Sequence, residues 1–381
     1  MSIYLDYNSS APIDPRVLDY MISVYTESYG NADSRTHDYG TKARQVVEDS
    51  RKNLAELMEI SPTEVFFTSG ATESNNIAIQ GLKEYGIQTG KKHLITTSIE
   101  HKSILETMKH MEKEGFEVDY VAPREDGRVA LEDIKNLVRK DTLLVSVMHI
   151  NNETGIVQPV KEVGEYLVSN KILFHVDATQ SFGKLVDELK TLQYDILSMS
   201  AHKIGGPQGI GALILRRKRY KLPPVKGIMY GGPQEHGIRP GTIPVALVAG
   251  LGKACEISAQ EYRENQTRCR EIKSIILKLL NKSSIEYQIN GEQTFCVPNT
   301  LNVSFPGISS EALMLSTKQY CGISNGSACN ASLYEPSYVL KEMGLSSERI
   351  ASSIRISWGP QTDSAKLEQE FWNLLMQAKK L

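Results

Sequence analysis

Lys203 stands at the end of a predicted strand, beside groups that could hold a phosphate. An apolar segment at 194–198 leads into Ser-Ala-His-Lys at 200–203, and a glycine-rich run follows up to Gly211. A lysine beside glycines is ordinarily a solvated loop residue. A buried one can instead form a Schiff base, with neighbouring donors that anchor the cofactor. The residue types around Lys203 therefore indicate pyridoxal phosphate (PLP) chemistry as one of two interpretations.

Asp177 closes a second apolar run, which begins at Leu173, and is followed by small polar residues. Such an aspartate can be a helix cap or a turn former. In a PLP site it would keep the pyridine nitrogen protonated, which makes the ring an electron sink. The two residues are 203 − 177 = 26 positions apart, and each closes a β-like run. Together they favour the PLP interpretation, with Asp177 as the pyridinium partner and Lys203 as the Schiff-base lysine.

Four stretches of the sequence resemble a known family, and they occur in that family's order. They are Thr-Ser-Gly-Ala-Thr-Glu-Ser-Asn-Asn at 68–76, Asp-Ala-Thr-Gln at 177–180, Ser-Ala-His-Lys at 200–203 and Gly-Ser-Ala-Cys at 326–329. The chain resembles cysteine desulfurases of the NifS/IscS type, which are class V PLP enzymes of the fold-type I aminotransferase superfamily. The resemblance implies an α/β fold, with a large domain on a mainly parallel seven-stranded sheet and a smaller α+β domain. It also implies L-cysteine as substrate, a homodimer and a sulfur-acceptor protein as partner.

The resemblance assigns cofactor contacts residue by residue. Ala71 and Thr72 are expected at the phosphate, where a strand end and a helix start also favour an anion; an ordinary threonine cap is the alternative. The remaining expected contacts are Ser200 and His202 on the phosphate side, Gln180 at the phenolate oxygen, Asn152 beside the ring and the substrate, and Thr242 from the neighbouring subunit. Asn151 competes with Asn152 for its place. His236 and Pro240 depart from the family's pattern near Thr242.

Three further residues are expected to act on the substrate. His101 matches the family's histidine that stacks on the pyridine ring and moves protons, although a lone histidine is more often structural. Arg355, in a predicted strand, matches the residue that grips the substrate's α-carboxylate bidentately. Cys329 lies among small polar residues that predict an exposed loop, and it matches the nucleophile that becomes a persulfide. The expected catalytic residues are thus Cys329, Lys203 and His101.

Composition limits the other possibilities. Lysine and arginine number 43 against 45 acidic residues, a net charge of −2, so we expect no direct contact with nucleic acid or an anionic membrane. Without a long apolar run or a basic, apolar leader, the protein is expected to be cytoplasmic. The five cysteines form no Cys-x-x-Cys pair and are odd in number, which argues against a disulfide framework and a metal site. The four cysteines other than Cys329 are predicted to be structural.

Apolar runs alternate with helical patterns from residue 65 to residue 215. This alternation predicts a mainly parallel sheet with both faces covered, and ligands in such folds gather at the carboxyl ends of the strands. A Gly- and Pro-rich stretch at 223–244 predicts a long loop, and a long helical pattern follows from 246 to about 280. The expected domains are an N-terminal arm at 1–15, a large PLP-binding domain at 16–250 and a small domain at 251–381 that carries the Cys329 loop.

The destination of the sulfur is a separate question. Housekeeping desulfurases typically extend beyond the terminal helix in a tail that docks the iron–sulfur scaffold, whereas this sequence stops at Leu381. Together with the altered 232–236 loop and Asn330 beside the nucleophile, this leads us to expect a dedicated donor in tRNA thiolation or DNA phosphorothioation. Housekeeping iron–sulfur assembly is the alternative. A selenocysteine lyase, an aminotransferase and a scaffold subunit that merely retains the fold are the other interpretations.

Overall fold

A seven-stranded sheet lies at the centre of the larger part of the chain. The computed structural model describes residues 2–326 and 336–381. The strands are β2 (Val65–Thr68), β3 (His93–Thr97), β4 (Glu117–Val121), β5 (Thr142–Met148), β6 (Leu173–Asp177), β7 (Ile196–Ser200) and β8 (Gly211–Leu215). Their order is β2-β8-β7-β6-β5-β3-β4. Only β8 runs against its neighbours β2 and β7, so the carboxyl ends of the other six strands meet at one edge of this sheet.

Helices cover both faces of this sheet. They are α1 (Pro15–Glu27), α2 (Asp38–Met58), α3 (Ala71–Gln80), α4 (Lys83–Thr89), α5 (Lys102–Lys113), α6 (Leu131–Leu137), α7 (Val160–Ser169) and α8 (Val186–Thr191). The strands β5, β7 and β8 are buried along their whole length, which is why they read as continuous apolar runs and not as alternating ones. The sheet and its strands confirm the predicted α/β fold.

The long helix α9 (Val245–Ser283) connects this sheet to a second, smaller unit. Its residues up to Tyr262 pack into the same core as the large sheet, whereas Cys269 and the residues after it pack into a separate core. The helix therefore runs through the boundary expected between residues 250 and 251 and shares its length between the two cores.

The smaller unit combines short strands and helices. Its elements are β9 (Gln288–Ile289), β10 (Thr300–Ser304), α10 (Ser310–Thr317), β11 (Cys321–Gly322), α11 (Tyr338–Glu342), α12 (Ser347–Ala351), β12 (Ser353–Ser357) and α13 (Ser364–Ala378). Strand β10 pairs antiparallel with both β12 and β9. This arrangement agrees with the predicted α+β character.

The N-terminal arm belongs structurally to the smaller unit. Its short strand β1 (Ile3–Tyr4) pairs in parallel with β11, and Ile3 and Leu5 are buried in the smaller core. The stretch is short and polar, and two buried apolar side chains and a partner strand hold it in place. This pairing places the arm at the edge of the large sheet where the strands end.

Neither a membrane span nor a metal cluster is found in residues 2–326 and 336–381. In that part of the chain no helix has the length and apolar character needed to cross a membrane. The same residues contain no group of three or more histidine, cysteine or acidic side chains arranged to hold a metal ion.

Candidate active site

A cavity of about 460 Å³ opens where the carboxyl ends of the large sheet's strands meet. Most of the predicted site residues line it: Ala71, Thr72, His101, Asn152, Asp177, Gln180, Ser200, His202, Lys203 and Arg355. The sequence stretches that carry them follow β2, β3, β5, β6 and β7, with Arg355 added from β12 of the smaller unit. The topology therefore brings into one cavity residues that are almost 300 positions apart.

Lys203 lies in a short 3-10 turn directly after β7. Its Nζ donates to the carbonyl oxygens of Asn8 and Ser9, each at 2.6 Å. Burial, followed by the positive charges of Lys184 and Arg355, lowers the pKa of Lys203 to about 7. A substantial fraction of this amine is therefore neutral at neutral pH, which is the form that attacks a carbonyl group.

Asp177 ends β6 and is held by hydrogen bonds on both carboxylate oxygens. Asn75 on α3 donates its Nδ2 to Oδ2 at 2.9 Å, and the backbone N–H of Thr179 donates to Oδ1 at 2.9 Å. The Thr179 hydroxyl donates to the same oxygen. These hydrogen bonds leave the carboxylate little rotational freedom, so the Asp177 side chain is held in a fixed orientation in the cavity wall.

The predicted phosphate side is built from the start of α3 and the end of β7. Gly70 caps the helix with φ +150°, a backbone conformation that favours glycine, and a Cβ built on it would lie 3.4 Å from Ser200 Oγ. The close approach places Ser200 beside the helix start at Ala71. Backbone N–H groups and the positive helix end face this part of the cavity, which suits an anion.

The two predicted histidines are both neutral at neutral pH. Burial lowers the pKa of His202 to about 4, with Lys203 and Lys184 acting in the same direction. Burial also lowers the pKa of His101, against the nearby charge of Asp177. The Nδ1 atom of His101 accepts from the backbone N–H of Ser103 at 3.1 Å and caps α5, so the neutral ring carries its hydrogen on Nε2. His101 therefore lines the cavity, as the predicted role at the cofactor requires, and is also a helix cap, which the sequence did not predict.

Asn151 and Asn152 have different surroundings in the structure. Asn151 is fully buried: its Nδ2 donates to the carbonyl of Ile99 at 3.1 Å, and its Oδ1 accepts from the backbone N–H groups of Glu153 and Thr154. Asn152 lines the cavity, and its Oδ1 has no partner among the described residues. Asn151 thus shapes the loop, while Asn152 is the one available to a ligand.

Arg355 on β12 is 2% exposed and already meets an anion. Its Nη2 donates to Asp6 Oδ1 and to Ser9 Oγ, each at 2.7 Å, and its Nη1 donates to the carbonyl of Asn152 at 3.0 Å. The sequence predicted a substrate carboxylate as the partner of Arg355 and did not identify Asp6. A substrate carboxylate would therefore share this guanidinium with the N-terminal arm.

Two further predicted residues are Thr242 and Cys329. Thr242 is exposed and does not line the cavity of its own chain, so its contact with a neighbouring subunit stays a prediction. Cys329 falls within 327–335, outside the described residues. Gly326 and Pro336, on the two sides of that segment, both line the cavity.

The other four cysteines have the character of structural residues. Cys255, Cys269 and Cys321 are buried, and Cys296 is partly buried. Burial raises the pKa of all four thiols, to about 11 for Cys269 and about 12 for Cys321, so they are protonated at neutral pH.

Several cavity residues have polar atoms without a partner, and these fit a polar ligand. Gln180 Oε1, Asn152 Oδ1 and Arg355 Nε are buried and have no hydrogen-bond partner within the described part of the chain. Buried polar atoms are ordinarily satisfied, and each one left without a partner costs free energy. Together with the lysine of lowered pKa, the fixed aspartate and the anion-favouring helix start, they match the groups that PLP and an amino acid would present.

Sequence reasoning missed the residues that hold this set in place. Asn8 and Ser9 accept from Lys203, Asp6 pairs with Arg355, and Asn75 fixes Asp177. Asn75 lies inside the 68–76 stretch, so its position in that motif was a usable signal. The arm residues gave no comparable signal, because their partners are about 195 or 349 positions away.

Comparison with known proteins agrees with this site. The family model for class V aminotransferases matches residues 3–369. Cysteine desulfurase IscS of Neisseria meningitidis serogroup C is 42% identical over 367 residues, covering 96% of this chain and 89% of the relative.

Solved structures agree in fold as well. A NifS-like protein superposes with a TM-score of 0.92 at 35% identity, with full coverage of both chains. DndA from Streptomyces lividans superposes with a TM-score of 0.82 at 42% identity, covering 92% of this chain and 98% of its own. SspA in complex with cysteine superposes with a TM-score of 0.82 at 34% identity, covering 95% and 100%. This chain therefore belongs to the class V aminotransferase family, among the PLP-dependent enzymes of the NifS/IscS cysteine desulfurase type.

Proposed function

We propose that the protein converts L-cysteine to L-alanine and transfers the sulfur to the thiol of Cys329 as a persulfide. One observation carries this proposal: a single cavity is lined by Lys203, Asp177 and Arg355 and also by Gly326 and Pro336, which flank the segment with Cys329. The groups for holding a cofactor and an amino acid thus adjoin the chain that bears the nucleophile. The relative named cysteine desulfurase and the neighbour in complex with cysteine support the same reaction.

Residues of the large sheet's edge would hold PLP. Lys203 Nζ would attach it, Asp177 would keep a proton on its pyridine nitrogen, and Gln180 would donate an Nε2 hydrogen to the phenolate oxygen. Ala71, Thr72, Ser200 and His202 would surround the phosphate, with Thr242 added from a second copy of the chain in a homodimer. When bound, PLP withdraws electrons from the substrate's α-carbon.

Lys203 and Arg355 would act on the substrate. Arg355 would bind the α-carboxylate through its guanidinium, which fixes the amino acid's orientation relative to Lys203 Nζ. Lys203, once released as a free amine, would remove the α-proton, and its lowered pKa makes the neutral amine available near neutral pH. Asn152 would supply its unpartnered Oδ1 to the substrate or cofactor.

The sulfur step needs the thiolate of Cys329. Its Sγ would attack the substrate's sulfur, so that an S–S bond forms and the substrate's C–S bond breaks. The electron pair of the broken bond passes to the carbon, which takes up a proton and leaves as alanine. A thiol has a pKa of about 8.5, so a nearby proton acceptor aids this step. His101 would supply its Nε2 hydrogen to the cavity and not a free lone pair, because Nδ1 is engaged in capping α5.

The substitution Cys329→Ser tests the proposal. We expect proton exchange at the α-carbon of the bound amino acid to continue while alanine and sulfide formation fall by about 10³-fold or more, because a serine hydroxyl cannot accept sulfur. Sulfide release under a reducing agent measures sulfur transfer, and deuterium exchange followed by NMR measures removal of the α-proton. Cys321→Ser is the matched control and should behave as the parent. Parent-level sulfide release by Cys329→Ser, with loss in Cys321→Ser, would contradict the assignment.

The sulfur acceptor is the finer part of the proposal. We infer a specialised acceptor in nucleic-acid sulfur modification, with housekeeping iron–sulfur assembly as the alternative. The IscS relative and DndA are each 42% identical to this chain, so identity favours neither. The unusual 232–236 loop also has a use within the fold, since Glu235 accepts from Arg51 and from the backbone N–H of Phe67. Capture of partner proteins by the enzyme with its persulfide intact distinguishes a specialised acceptor from an iron–sulfur scaffold. Recovery of an iron–sulfur scaffold as the main acceptor would contradict our inference.

A further inference from the structure

Glu153 is a buried carboxyl group in the cavity wall to which the proposed chemistry gives no task. It lies in the loop after β5 and is 1% exposed. Two asparagines fix its backbone: its N–H donates to Asn151 Oδ1 at 2.9 Å, and its carbonyl accepts from Asn302 Nδ2 at 3.2 Å. The side chain is thus presented from a rigid support that joins the loop to β10.

The Glu153 carboxyl group contacts the chain on both sides of 327–335. On the far side, the hydroxyl of Ser337 donates to Oε2, and Ser337 Oγ also caps α11 by accepting from the backbone N–H of Leu340 at 3.1 Å. On the near side, Gly326 packs so closely that a Cβ built on it would lie 2.6 Å from the same Oε2. Gly326 has φ +90°, so both the space and the backbone require glycine there.

Arg355 ties the near end to the substrate side of the cavity. Its strand bridges to Ser324, two residues before Gly326, and the backbone N–H of Gly326 donates to Ser324 Oγ at 3.1 Å. The same Arg355 acts on Glu153 through its charge, and burial raises the pKa of Glu153 against that charge and the Ser337 hydrogen bond. Burying a carboxyl group costs free energy. In return, the Glu153 carboxyl group contacts the chain on both sides of residues 327–335, at Gly326 and at Ser337.

We propose that Glu153 is a positioning residue for Cys329, because its contacts with Gly326 and Ser337 fix the chain on both sides of residues 327–335. The inference rests on the proposed function only for the role of Cys329. Fixing both ends of a nine-residue segment restricts where its thiol can be, and so raises the thiol's effective concentration at the substrate's sulfur.

Glu153→Ala and Glu153→Gln test this, with Glu162→Ala, an exposed glutamate on α7, as the matched control. We expect Glu153→Ala to slow persulfide formation on Cys329 about tenfold and to change the rate of Cys329 alkylation by iodoacetamide severalfold, with α-proton exchange within about twofold of the parent. Glu153→Gln keeps an acceptor for Ser337 and should restore both rates to within about twofold.

A second pair of variants keeps the test decisive if Glu153→Ala does not fold. Ser337→Ala removes the same hydrogen bond from its other end together with a helix cap, whereas Ser346→Ala removes only the corresponding cap of α12. We expect Ser337→Ala to change alkylation of Cys329 severalfold and Ser346→Ala to leave it unchanged.

Two results would overturn the inference. The first is parent-like alkylation and persulfide formation in Glu153→Ala, and the second is a loss of α-proton exchange equal to the loss of persulfide, which would place Glu153 in the substrate half of the reaction. Alkylation is measured on the protein with and without PLP and needs no turnover. If the parent enzyme forms no persulfide on Cys329, the proposed function fails, while the alkylation rates still test the anchoring.

Discussion

The two walls of the cavity are built in different ways. The wall proposed for PLP comes from the edge of one sheet, where Asp177, Ser200 and Lys203 follow neighbouring strands and α3 begins beside them. The wall proposed for the substrate joins three distant parts of the chain: the arm with Asp6, the loop with Asn152 and β12 with Arg355. The first is therefore as rigid as the sheet, whereas the second depends on how the smaller unit and the arm pack against it.

The largest expected effect belongs to the PLP wall, with Lys203→Ala. We expect alanine formation to fall by more than about 10³-fold, because the residue would both attach the cofactor and move the α-proton. Asp177 and the phosphate side remain, so the variant should still bind PLP without a covalent link. Alanine assays measure the loss of activity, and borohydride reduction shows whether PLP is covalently linked. Lys226→Ala, an exposed lysine paired with Glu84, is the control. Retained activity in Lys203→Ala would remove the assignment.

Arg355→Lys tests the substrate wall. We expect the KM for L-cysteine to rise about 10- to 100-fold, because a hydrogen bond between charged groups contributes about 1.5–3 kcal/mol and lysine lacks the planar fork. The companion variant Asp6→Asn removes the competing anion and should lower the KM severalfold. Steady-state kinetics measure both. If Asp6→Asn raises the KM as well, Asp6 orients the guanidinium and does not compete for it.

The pH dependence of PLP attachment to the apoprotein tests the lowered pKa of Lys203. The neutral amine is the reactive form, so below the pKa of about 7 the rate should rise about tenfold per pH unit, and above it the rate should level off. With a lysine of ordinary pKa, the rate of attachment would keep rising up to about pH 10. Stopped-flow absorbance measures the profile. Lys184→Met removes a nearby positive charge, so the pH at which the rate levels off should rise. If that pH does not change, Lys184 does not contribute to the lowered pKa of Lys203.

Asn75→Ala is expected to have the smallest effect and probes the support of the PLP wall. Losing the hydrogen bond to Asp177 should weaken PLP binding about 5- to 15-fold, since such a bond contributes about 1–1.5 kcal/mol. Fluorescence titration of the apoprotein measures the dissociation constant. Asn76→Ala, on the same helix and without a bond to Asp177, should bind PLP as the parent does. Equal weakening in both variants would indicate damage to α3 and not the loss of this bond.

The extent to which the site could be predicted differs between the walls for a physical reason. In the PLP wall, each residue follows an apolar run, and parallel strands end at a common edge, so the sequence alone could place Asp177 and Lys203 together. In the substrate wall, Arg355 was predicted but its partner Asp6 was not, because no local pattern indicates which of many surface acids will meet a buried guanidinium. Strands such as β5 and β8 were predictable because burial along their whole length leaves mostly apolar runs, whereas β4 is only partly buried.

By itself the sequence determined the fold class, the family and the identity of the residues proposed to hold the cofactor. This was possible because periodicity and local motifs depend only on residues that are close together in the sequence. Only the tertiary structure decided that Asn152 and not Asn151 faces the cavity, that Asn8 and Ser9 hold the amine of Lys203, and that Glu153 contacts both Gly326 and Ser337. The contacts of Lys203 with Asn8 and of Glu153 with Ser337 join positions 195 and 184 residues apart, and the first choice is between two adjacent identical residues. Chain packing sets such distances and orientations, and no short stretch of sequence records them.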